Sequence, residues 1–178
     1  MKRIFALLAG LALSLLTQTA QAGLLSHQVS VTYLYPTVDT EFQHIGAGTV
    51  GATGLQMNFL DYFDLNITDD RITVLYRDWP EVWWNPAPFN GFVLTDLTGP
   101  LPAISLNTAS NMAGFSSSNL TIVGNSLYVN WQGLPFTGAT QVILDVGGTP
   151  PSQVPEPFSL SLLGLGLLGL GAARRRAK

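Results

Sequence analysis

Three of the four tryptophans of this 178-residue chain fall within six positions, in Asp78-Trp79-Pro80-Glu81-Val82-Trp83-Trp84-Asn85-Pro86-Ala87-Pro88-Phe89. Prolines on either side cannot donate to a sheet ladder, so the spacing predicts a loop rather than a strand. If that loop presents its rings, Trp79, Trp83 and Trp84 are candidate glycan contacts, because flat apolar faces stack on the C–H faces of sugars. If it buries them, they plug the end of the domain, since tryptophan is highly buried on average. Trp131, two residues beyond Val129, reads as a core residue at strand spacing.

The other reactive side chains are sparse. Asp61, Asp64, Asp69 and Asp70 form the densest acidic group. Oxygen ligands in a loop can hold Ca²⁺, but the Asp-x-Asp-x-Asp-Gly spacing is missing, and Asp69-Asp70 reads as a solvated turn between two strands. The sequence gives no carboxyl separation on which to build a glycosidase. His27 and His44 have no cysteine partners and no metal spacing, and there is no Gly-x-Ser-x-Gly. Both histidines are expected in surface or hairpin positions. Gly164-Leu165-Gly166-Leu167-Leu168-Gly169 has the letters of a dinucleotide fingerprint, but it lies in an apolar run with no preceding strand. The expectation is therefore a non-enzymatic protein with no catalytic residue, no metal site and no cofactor. Its acids could attract divalent cations, Ca²⁺ among them.

The elements that must position these residues read as all-β. Val29, Val31 and Tyr33 alternate with polar residues, as do Leu55, Met57 and Phe59, then Phe63, Leu65 and Ile67. Ile45 to Gly51 is small and Gly-rich, an irregular strand. Ile72–Tyr76, Phe92–Leu97, Ala103–Leu106 and Gln141–Val146 continue the style. The sharpest local signal is Gly124-Asn125 between two alternating runs, a two-residue hairpin with Leu120/Ile122 and Leu127/Val129/Trp131 on one core-facing side. No stretch keeps helical periodicity over ten residues. Eight to ten short strands predict a β-sandwich of jelly-roll-like type.

The two ends have a different composition. Lys2 and Arg3, an apolar run from Ile4 to Leu16, and the small residues Ala20 and Ala22 before Gly23 make residues 1–22 a signal peptide cleaved by signal peptidase. Residues 23–148 are the exported domain and 149–153 a stiff linker. The tail, 154–178, holds Val154-Pro155-Glu156-Pro157, an uncharged apolar run from Phe158 to Ala173, and Arg174, Arg175 and Arg176. At about 1.5 Å rise per residue that run spans roughly 24 Å as a helix, short of a hydrocarbon core of roughly 30 Å, so it is a marginal anchor. The arginines would hold its end in the cytoplasm as a stop-transfer signal. Between the two ends remain two cations, Arg71 and Arg77, against ten acids, a net charge of −8. Such a domain repels nucleic acid and anionic lipid. The chain has no cysteine, so no disulfide staples it.

The order of the tail's parts resembles the PEP-CTERM sorting signal of Gram-negative bacteria: Val154-Pro155-Glu156-Pro157, a Leu/Gly-rich run, then Arg174-Arg175-Arg176. The resemblance implies processing near the motif by an exosortase, after a transient stay in the inner membrane, and final placement at the cell surface or outside it. It also implies a host that makes extracellular polysaccharide, hence a structural protein of a biofilm matrix. The alternative is a carbohydrate-binding module that uses the tryptophan loop. The resemblance covers the tail and assigns an address, not an activity.

Overall fold

Period-2 hydrophobicity dictates the core of the computed structural model, which describes residues 23–147. Strand β1 (Gln28–Leu34) turns Val29, Val31 and Tyr33 inward, all fully or almost fully buried. It lies between β2 (Glu41–Thr49) and β7 (Gly91–Asp96), and β10 (Ser126–Asn130) and β9 (Leu120–Val123) complete a five-stranded antiparallel sheet in the order β2-β1-β7-β10-β9. The second sheet runs β3-β4-β5-β12-β8, from β3 (Leu55–Phe59), β4 (Phe63–Ile67), β5 (Arg71–Tyr76), β12 (Gln141–Val146) and β8 (Ile104–Leu106). Two short strands, β6 (Val82–Trp83) and β11 (Pro135–Phe136), pair with each other. Inward residues of both large sheets belong to one apolar cluster: Val31, Leu94 and Val129 from the first, Leu65, Val74 and Leu144 from the second. Each such side chain contributes about 1.5–3 kcal/mol of burial, and the described residues form an all-β sandwich.

The strands expected from alternation are present, with three corrections. The jelly-roll expectation does not hold. In a jelly roll the chain passes from one sheet to the other at nearly every connection, whereas here β1 and β2, then β3, β4 and β5, then β9 and β10 stay within one sheet each. The short turns between these strands favour pairing with the nearest neighbour in sequence. The tryptophan segment is not wholly loop, because Val82 and Trp83 pair with Phe136 and Pro135. In the Gly124-Asn125 hairpin, Leu127 and Val129 are buried as expected. Ile122 is exposed, because β9 is the edge strand and overhangs the core. Gly124 takes φ 60°, the left-handed conformation that a two-residue turn requires.

Among the described residues no helix is long and apolar enough to cross a membrane. The signal peptide with Ala20 and Ala22, the linker, and the tail with its Pro-Glu-Pro, apolar run and arginines lie outside the described residues. Gly23 lies inside them, beside Asp69, and the next residue, Leu24, is fully buried and donates its N–H to the Asp69 carbonyl at 2.9 Å.

Candidate functional site

At one end of the sandwich, aromatic side chains from both sheets and the tryptophan segment leave a cleft of about 380 Å³. Tyr33 and Tyr35 reach it from the end of β1, and Phe42 from β2. Phe42 gets there through a bulge. The pairing of β1 with β2 shifts register between Val31 and Thr32 and again between Tyr33 and Leu34, which leaves Ile45 and Phe42 as extra residues. Bulges re-aim side chains, and Phe42 meets Tyr33, Tyr35 and Phe59 edge-on with ring centroids 6.2, 6.4 and 6.3 Å away.

The β3–β4 hairpin supplies Phe59, Leu60 and Tyr62. Leu60 and Asp61 sit at φ 45° and 60°, where side-chain-bearing residues are strained. Surrounding contacts hold the turn. The Asp61 N–H donates to Asn58 Oδ1 at 3.3 Å, Trp79 Nε1 donates to the Asp61 carbonyl at 3.0 Å, and Arg77 pairs with the Asp61 and Asp64 carboxylates at 3.3 and 2.7 Å. The hydrogen bond from Arg77 holds the Asp64 carboxyl below its usual range, helped by one from Asn58. Trp79 also stacks on Tyr62, centroids 5.2 Å apart and planes within 14°. Trp79 therefore braces the hairpin and does not line the cleft.

The other two predicted tryptophans part ways. Trp83 is 60% exposed at the cleft mouth. Trp84 is a buried wall residue, stacked with Trp131 at 5.6 Å and packed on Phe136 at 5.0 Å. Of the three candidate contacts, one offers a free face, one lines the wall and one supports from outside.

Polar atoms are buried behind the aromatic walls. Trp131 Nε1 donates to the Tyr33 hydroxyl at 2.9 Å, and that hydroxyl donates to Asn90 Oδ1 at 2.6 Å. Asn90 Nδ2 donates to the Asn85 carbonyl, and Trp84 Nε1 to the Tyr76 hydroxyl. Burial pushes the Tyr33 and Tyr76 phenols well above their usual range, so both stay protonated. Among the described residues the lining has no carboxylate, imidazole or thiol; its polar groups are tyrosine hydroxyls, the indole N–H groups of Trp83 and Trp84, and the amides of Asn85 and Asn90, of which the Tyr33 hydroxyl, the Trp84 N–H and the Asn90 amide are already hydrogen-bonded within the fold. The arrangement can stack on a flat partner and hydrogen-bond it.

The predicted acidic group disperses. Asp61 and Asp64 engage Arg77, while Asp69 and Asp70 lie in the β4–β5 turn, where they accept from the Leu25 N–H and the Thr68 hydroxyl. Among the described residues no three His, Cys, Asp or Glu side chains stand close enough to hold a metal ion. His44 is exposed, as expected, beside Thr32. His27 departs from expectation: its Nδ1 lies 2.5 Å from Oδ2 of Asp96, a fully buried carboxylate. Oδ1 of Asp96 accepts from the Thr98 amide and hydroxyl at 2.8 and 2.7 Å. Burial raises the Asp96 carboxyl most, but the hydrogen bonds from His27 and Thr98 together outweigh it and leave it lowered. Nothing in the sequence joins residues 27 and 96 before β1 pairs with β7. Phe42 and Tyr62 were equally hidden, since no spacing rule announces a bulge or a hairpin tip.

No curated protein and no solved structure matches the chain. Residues 153–176 match the family described as the PEP-CTERM protein-sorting motif. That span contains Val154-Pro155-Glu156-Pro157 and Arg174-Arg175-Arg176. The chain therefore carries a PEP-CTERM sorting motif at its carboxyl end, the mark of a protein exported to the cell envelope or surface through an exosortase.

Proposed function

We propose that this exported protein is a non-enzymatic surface protein that holds an extracellular polysaccharide in its aromatic cleft. The supporting observation is the exposed ring of Trp83 at the mouth of a cleft walled by Tyr33, Tyr35, Phe42, Tyr62 and Trp84, with the exposed Asn85 amide beside them. Pyranose rings have apolar C–H faces and hydroxyl edges, so aromatic walls with tyrosine hydroxyls and an exposed amide suit both surfaces. A volume of about 380 Å³ suits a short stretch of sugar units. The −8 charge between the two signals disfavours polyanions, so the polysaccharide is neutral or cationic.

In this reading the carboxyl-terminal motif supplies the address. The apolar run 158–173 anchors the precursor briefly in the inner membrane of a Gram-negative cell, and cleavage near Pro155-Glu156-Pro157 releases the domain to the polysaccharide outside. Retention of the exported protein on immobilised host polysaccharide tests the binding. Trp83→Ala should weaken retention about fivefold, from about 1 kcal/mol of lost stacking, with folding unchanged because the ring is exposed. Equal retention of the variant and the wild type would refute the cleft as the binding site.

A further inference from the structure

A second cleft, of about 530 Å³, lies beyond the same two loops. The Phe89 N–H donates to the Pro36 carbonyl at 3.0 Å and ties residues 35–40 to 85–90. Each loop serves both clefts: Tyr35, Asn85 and Asn90 line the first, while Val38, Asp39 and Phe89 line the second. The shared boundary is fixed by Asn130 of the second cleft, whose Oδ1 accepts the Asn90 N–H at 3.0 Å.

The second lining differs in chemistry. Its aromatic element is an edge-on pair, Phe89 and Tyr128, with centroids 6.2 Å apart. Around the pair stand Asp39, Asn119, Thr121, Asn130 and Gln132. Asn119 is committed to the fold, with Nδ2 donating to the Asn130 carbonyl at 2.8 Å. Among the described residues the side chains of Asp39, Thr121, Tyr128 and Gln132 have no hydrogen-bond partner, so a carboxylate, two hydroxyls and an amide are free around an aromatic edge. Among the described residues Asp39 is the only charged residue of this lining. A ligand rich in hydroxyls with an apolar face satisfies this set, and a cationic amino group would add a charge-assisted hydrogen bond to Asp39.

We infer that the second cleft is a further saccharide site, selective for neutral and amino sugars over uronic acids, so that the domain grips a polysaccharide at two adjoining places. The inference deepens the proposed function and rests on it for the ligand class. Two weak sites on one rigid body raise the affinity for a chain that spans both, through effective concentration, without any new contact.

The test is an NMR titration of the ¹⁵N-labelled exported protein with a glucosamine hexamer, an N-acetylglucosamine hexamer and an oligogalacturonate of equal length. The side-chain amides of Asn130 and Gln132 should shift with the first two and not with the third. Tyr128→Ala should weaken that response about fivefold. Asp39→Asn, in an exposed loop, should weaken binding of the glucosamine hexamer alone, about threefold. Trp83→Ala should leave these shifts in place. Amides that stay still with both hexamers, equal binding of the oligogalacturonate, or an unchanged response in both Tyr128→Ala and Asp39→Asn would overturn the inference. Signals near Trp83 report separately on the first cleft: shifts at Asn130 without shifts there would refute the first site and keep the second.

Discussion

Single hydrogen bonds decide how firmly the aromatic cleft is built. The Tyr33 hydroxyl receives the Trp131 indole N–H and donates to Asn90, all three residues being buried. Tyr33→Phe would leave a buried donor and a buried acceptor without this partner, at a cost of about 2 kcal/mol in urea unfolding. A change below about 0.5 kcal/mol would show the network to be dispensable. Asp96 gives a pH test. Its carboxyl is lowered in the fold, so the unfolded chain takes up the proton at the higher pH. The stabilisation is therefore fully present above the unfolded value of about 3.9 and is lost as pH falls through the folded value. Asp96→Asn should cost about 2 kcal/mol at neutral pH and flatten the acid limb of the stability profile; an unchanged limb would remove Asp96 from this role. At this scale the sequence was half legible. Trp131 announced itself by its spacing from Val129, and crowding picked out Trp83. The partnership of His27 with Asp96 was invisible, because it exists only once distant strands are in register.

Strands were the most legible level, because a half-buried sheet imposes alternation on its residues and β1, β4 and β5 follow it closely. What alternation cannot give is the order of strands in a sheet or the places where pairing slips. The bulge that brings Phe42 to the cleft and the pairing of Val82–Trp83 with Pro135–Phe136 both depend on partners distant in sequence. Gly91 marks a close approach of this kind. It pairs with Leu34 on one side and Asn130 on the other, and a Cβ there would sit 1.8 Å from the Val129 carbonyl oxygen. Gly91→Ala should force β7 and β10 apart and destabilise the domain by about 3 kcal/mol. It should also displace the adjacent Asn90, so the proposed saccharide binding should weaken beyond what partial unfolding explains. A variant as stable as wild type would contradict this account of the β7–β10 contact.

For the whole molecule, composition separates address from body. Six of the eight cations lie at the two ends, and the middle is acidic, cysteine-free and strand-forming. The tail was the most specific text in the sequence, because its three parts must appear in one order, and the match over residues 153–176 falls on it. The exported domain offered no comparable text: its clefts are assembled from residues scattered between Tyr33 and Phe136. The central claim is that this domain is delivered by cleavage at the tail. Pro155 and Pro157 have no backbone N–H to donate, and our proposal is that a membrane protease reads the motif through these two residues. The direct measurement is mass spectrometry of fractionated cells that carry a matching exosortase, comparing wild type with Pro155→Ala/Pro157→Ala. The account predicts that the double variant stays in the inner membrane, heavier than the surface form by about 2 kDa, the weight of roughly twenty of the 178 residues in a 19.1 kDa chain. A double variant that reaches the surface at the wild-type mass would contradict it.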